Sequence, residues 1–122
     1  MRPDLTKSQR RRLRELAGIA YERELSRELT ALEREFARWR GGTIDAHGLG
    51  DRIHQFHQGP NRRLFVIYTD SAIDLAVAAA IAKGIISEAE AGPEILELLR
   101  AGIEFARKSS DEDDEGAESG DG

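Results

Sequence analysis

Residues 5–40 contain no proline and a single glycine, Gly18, and are dominated by Ala, Leu, Glu and Arg. These residues lose little rotamer freedom in a helix and leave the backbone ladder intact, so the stretch reads as one long helix. At 1.5 Å per residue, roughly 35 residues make a rod near 50 Å long. Leu13, Leu16, Ala17, Ala20 and Tyr21 begin an apolar stripe on it. Leu25, Leu29, Leu32, Phe36 and Trp39 continue the stripe in steps of 4, 3, 4 and 3, which is coiled-coil spacing. Glutamates and arginines fill the opposite face, Glu35 and Arg38 among them at pairing distance. Thr6 or Asp4 suits the starting cap, and Gly41 with Gly42 supplies the stop. The rest of the chain cannot easily cover a rod of this length. Any uncovered part of the stripe needs a partner.

The remaining chain reads as shorter helices. One is expected over about residues 45–58, with Asp45 as N-cap and Leu49, Ile53 and Phe56 as its apolar face. Gly48 and Gly50 weaken its first turns, which moves the expected regular part towards Asp51, and Gly59-Pro60 is expected to end it. Residues 64–68 form an unbroken apolar run with high strand propensity. A lone strand would leave its backbone groups unpaired, so a buried helix over 61–69 is favoured. Ser71 with Asp74 has capping-box spacing ahead of an alanine-rich helix at 71–83. Ser87 with Glu90 opens a further turn with the same spacing, and Pro93 stands at a first-turn position before a helix at 94–107. The fold class is therefore all-α: a long N-terminal helix packed with three or four shorter ones in a domain of residues 1–108. Residues 109–122 carry seven acidic residues and no basic one, and are expected to be a disordered tail.

That tail explains the charge balance. The net charge is −5, yet residues 1–108 hold 18 basic against 16 acidic residues, and residues 1–40 hold 11 against 7. The body is close to neutral with a basic N-terminal arm. The chain has no cysteine, which excludes a disulfide scaffold, an iron–sulfur cluster, a thiolate zinc site and a cysteine nucleophile. The longest apolar run, residues 75–82, is far short of the roughly 20 residues a membrane span needs. With no signal-peptide pattern at the start, a cytoplasmic location is expected.

Three groups of residues are candidates for function. All three histidines lie between residues 47 and 57. At about 100° per residue, an unbroken helix places His47, Asp51 and His54 within roughly 60° of one another, opposite Leu49, Ile53 and Phe56. Two imidazoles and a carboxylate are a partial metal sphere or an acid–base pair, with His57 on the flank. The short helix offers no His-Glu-x-x-His motif, and a solvated polar face explains the same residues. Arg10, Arg11, Arg12 and Arg14, with Arg62 and Arg63, are the second group, because arginine clusters neutralise phosphates and release counterions. Their interleaving with glutamates along the helix, and the acidic tail, argue against nucleic acid. A strand at 62–69 followed by two helices would have the outline of a ribbon–helix–helix DNA binder. The run is apolar on both faces where base-reading residues should alternate, so that family is not assigned.

The third group is Leu25, Leu29, Leu32, Phe36 and Trp39. A coiled-coil stripe of this kind meets a protein partner or a second copy of the chain. The expected function is non-catalytic: a small helical interaction or self-associating module, with no cofactor implied and no membrane partner.

Overall fold

The computed structural model describes residues 4–69 and 72–120, with side chains described as far as Asp111. Among the described residues there is no strand. The long helix is α1, Lys7–Arg40. It is followed by α2, Ala46–Phe56, and α3, Arg62–Thr69, which are joined by a π-helical turn at His57–Asn61. Then come α4, Ile73–Ala82; α5, Glu88–Ala91; α6, Pro93–Leu98; and α7, Arg100–Gly120.

The ends of these helices follow from local chemistry. Thr6 caps α1: its hydroxyl accepts from the Gln9 N–H at 3.0 Å, while the Gln9 amide oxygen accepts from the Thr6 N–H at 3.0 Å. At the other end Gly42 adopts φ +80°, and the Thr43 N–H bonds back to the Arg38 carbonyl at 2.8 Å. That left-handed residue closes the helix as the glycine pair leads one to expect. Asp45 caps α2 by accepting from the Gly48 N–H at 2.7 Å. With this cap in place α2 is regular from Ala46, so Gly48 and Gly50 do not delay its start to Asp51. The Ser87–Glu90 capping box forms in full, and Pro93 takes the first turn of α6. The other expected box needs Ser71, which lies outside the described residues.

Four expectations need correction. Gly59-Pro60 does not end a helix. Pro60 has no N–H to donate, and the chain widens by a π turn that lets α2 run on into α3. Residues 62–69 are helical, as favoured, but the apolar run is not buried throughout: Leu64 and Tyr68 are, whereas Phe65, Val66 and Ile67 are exposed. The helix expected at 94–107 is divided at Leu99, where φ −103° and ψ 10° depart from helical geometry. Residues 109–120 of the tail expected to be disordered instead continue α7 as helix, with side chains described as far as Asp111; residues 121–122 lie outside the described residues.

The chain groups into two compact units, Met1–Ala20 with Ala72–Gly122, and Tyr21–Ser71. In the first unit the core is formed by Leu13, Leu16, Ala17 and Ala20 of α1, by Ala76, Val77, Ala78, Ala80 and Ile81 of α4, and by Ile86, Ile95 and Ile103 among others. Arg12 ties α1 to the α5 region, donating to the Glu90 carbonyl at 2.6 Å. The small residues of α4 let α7 approach closely. A Cβ built on Gly102 would stand 3.1 Å from the Ala78 Cβ, whereas one on Gly18 of α1 would meet nothing within 4 Å.

This contrast is testable. In a helix interior, glycine to alanine stabilises by about 1 kcal/mol where the new methyl finds room. Gly18→Ala should raise the melting temperature by a few degrees. Gly102→Ala should lose that gain and be neutral or destabilising, and Gly102→Leu should cost several kcal/mol, in the manner of overpacked cores, on the order of 1–3 or more. Equal stabilisation by Gly18→Ala and Gly102→Ala in thermal melts would contradict the close α4–α7 packing.

Candidate interaction surface

The second unit is a helical hairpin whose two arms are oriented by polar contacts. The Tyr68 hydroxyl donates to Glu24 Oε2 at 2.5 Å, and the Tyr21 and Tyr68 rings stack with centroids 5.5 Å apart. Farther along α1, Glu28 faces Arg63 at 3.8 Å and Glu35 faces Arg52 at 3.5 Å. As the number rises along α1 it falls along α3 and α2, so the two arms are antiparallel. Glu35 also accepts from Arg38 at 2.9 Å, the intrahelical pair expected from the spacing. One flank of α1 is thereby committed to charge pairing with the other arm.

The apolar stripe lies beside that flank. Leu25 and Leu32 are half-buried, while Leu29, Phe36 and Trp39 retain 46%, 38% and 41% of their surface. Ile53 on α2 and Phe65 on α3 are exposed as well. The unit's buried apolar residues are Leu49, Leu64 and Tyr68, against fifteen such residues in the first unit among the described residues. A two-helix hairpin with so small a core has little burial with which to offset the entropy of ordering its backbone.

The other candidates are placed differently. His47, Asp51, His54 and His57 are all exposed, on α2 and the π turn after it. Because α2 is unbroken from Ala46, His47, Asp51 and His54 do share one strip. Among the described residues, however, no group of three or more His, Asp or Glu side chains is arranged to hold a metal ion. His57 borders a depression with Tyr21, Gln58, Asn61, Arg62 and Phe65. Arg10, Arg11 and Arg14 are exposed on the first unit, and Arg12 is partly occupied by Glu15 at 3.1 Å besides the Glu90 carbonyl. Arg62 and Arg63 are exposed on the second unit, with Arg63 paired to Glu28. Phe65 was not among the residues singled out from the pattern. Its signal was present in the sequence: in a helix with Leu64 and Tyr68 inward, the residue after Leu64 turns about 100° away.

No family model, curated protein or solved structure matches this chain. Among the described residues no single helix is long and apolar enough to cross a membrane.

The Tyr68–Glu24 contact carries a pH dependence. Burial of the phenol, then the hydrogen bond and the negative charge of Glu24, push the Tyr68 pKa well above its ordinary value of 10.0. The folded state thus holds the proton more tightly than the unfolded one. Its contribution is complete below about pH 10 and is lost as pH rises beyond that. Tyr68→Phe should cost about 1–2 kcal/mol at neutral pH through the lost bond to a carboxylate. It should also flatten the fall in stability above pH 10. Melting curves at pH 7 to 11 by circular dichroism check both, and parallel pH profiles for the two proteins would refute the assignment.

Proposed function

We propose that the chain is a protein–protein interaction module whose second unit docks another polypeptide on the face bearing Leu25, Leu29, Leu32, Phe36 and Trp39. One observation carries the reading: a hairpin with three buried apolar side chains leaves three large ones of α1 substantially in solvent on a single strip. Covering such a strip removes apolar surface from water at about 25 cal/mol per Å², so each large side chain gains on the order of 1 kcal/mol. Isolated exposed leucines are ordinary on protein surfaces, but a stripe at heptad spacing flanked by charges is the form a helical partner recognises. The charged flank supports the same reading, because Glu28 and Glu35 are satisfied within the hairpin and do not need to be desolvated by a partner.

The test places a photoreactive benzoylphenylalanine at Phe36 in cells that make the full chain. Irradiation should yield a polypeptide adduct, whereas the same probe at the exposed Lys83 should not. Leu29→Glu should abolish the Phe36 adduct while shifting stability by only about 0.5 kcal/mol, as expected at an exposed site. An adduct indifferent to Leu29→Glu, or none at Phe36, overturns the proposal.

A further inference from the structure

We infer that the polypeptide docked on this face is a second copy of the chain, with its α1 antiparallel, so that two hairpins close into a four-helix bundle. The inference rests on the interaction reading above and adds the identity and direction of the partner.

Each arm of the hairpin shows a second apolar face beside the one it uses internally. On α1, Glu35 points to the charge-paired flank, and Phe36, the next residue, lies about 100° round from it. On α2, Arg52 reaches that same flank at Glu35, and Ile53 likewise lies about 100° round from it. On α3, Phe65 borders the depression that also contains Tyr21, where the stripe begins. Antiparallel helices turn in opposite senses when viewed from one end. Phe36 and Ile53, each one step beyond the residue of the shared ion pair, therefore emerge on the same side of the hairpin. Two adjacent helices with neighbouring apolar faces roughly a quarter turn apart are half of a four-helix bundle, in which every helix packs on two neighbours.

The stripe is complementary to itself when reversed. A two-fold axis passing between Thr30 and Ala31 sets Leu29 opposite Leu32 of the second copy, and Leu25 opposite its Phe36. The same axis brings Glu22 level with Trp39 and within one residue of Arg40, about 1.5 Å along the helix, at both ends of the contact. Glu22 and Arg40 lie on the flank of the stripe away from the ion pairs within the hairpin, and a two-fold axis of this kind matches like flank with like flank. A parallel two-fold pair would instead set each flank against the opposite one, placing Glu33 against Glu28 and leaving Glu22 and Arg40 about 27 Å apart along the axis. Charge and shape select the antiparallel arrangement.

The absence of native cysteine makes disulfide trapping clean, since any introduced thiol is the only one in its chain. Glu22→Cys and Arg40→Cys proteins, mixed and oxidised, should form a disulfide between the two variants. Glu22→Cys alone should not, because its two thiols would be roughly 26 Å apart, seventeen helical residues end to end. Glu22→Arg should weaken the dimer about tenfold by light scattering over a dilution series, and adding Arg40→Glu to it should restore the affinity, as for two symmetry-related rim charge pairs of about 0.5–1 kcal/mol each. Efficient trapping of Glu22→Cys with itself would overturn the antiparallel direction. A monomer at all concentrations, with no disulfide from the mixture, would overturn the second copy as partner. If the Phe36 photo-adduct then contained a different polypeptide, the interaction reading would stand while this inference fell.

Discussion

The length of α1 governs the rest of the structure. Thirty-four residues in one helix reach about 51 Å, and the shorter helices do not cover it evenly. The same apolar spacing therefore meets two different fates along one element. Leu13, Leu16, Ala17 and Ala20 are buried in the first unit, which supplies the alanines and isoleucines of α4 and the aliphatic residues of α6 and α7. Beyond Tyr21 the other arm offers Arg52, Arg63 and the hydroxyl of Tyr68 to glutamates on the adjoining flank. The stripe is left beside that contact instead of beneath it.

Half-exposed ion pairs of this kind contribute about 0–1 kcal/mol each, too little to hold a hairpin by themselves. Their effect is on orientation. By drawing Glu28 and Glu35 towards α3 and α2, they set the rotation of α1 about its own axis, and that rotation decides where Leu29 and Phe36 emerge. The Tyr68–Glu24 bond, reinforced by the Tyr21–Tyr68 stack, fixes the same rotation at the other end of the contact. Polar contacts thus aim the apolar surface, whose burial by the proposed partner would supply the larger free energy.

Much of this was legible in the residues alone. The proline-free run and its glycine stop marked α1, Asp45 and the Ser87–Glu90 pair marked caps that form, and the lack of a second strand candidate favoured helix for residues 62–69. The π turn was not legible, because Gly59-Pro60 is ordinarily a terminator and its continuation depends on a local widening that no propensity encodes. The exposure of Phe65, Val66 and Ile67 was missed for a different reason. An unbroken apolar run reads as buried on every side, whereas the hairpin supplies a neighbour only for Leu64 and Tyr68. The stripe at Leu25 to Trp39 was visible from its spacing, but which flank stayed open could be known only from where Arg52 and Arg63 reach.

Trp39 illustrates how the end of the stripe is built for the proposed bundle. It is the last stripe residue before Gly41 and Gly42 close α1, and it stays part-exposed. Indole suits such a position because its apolar body packs while its N–H requires a partner or water. In the antiparallel arrangement Trp39 falls opposite Glu22 of the second copy, whose carboxylate accepts in its own chain from the Ser26 hydroxyl at 3.3 Å. A carboxylate has room for further donors, so the indole N–H can be satisfied there along with the Arg40 guanidinium. In a parallel pair the two indoles would meet each other with two donors and no acceptor between them. The end of the helix therefore discriminates between the two directions on hydrogen-bonding grounds as well as on charge.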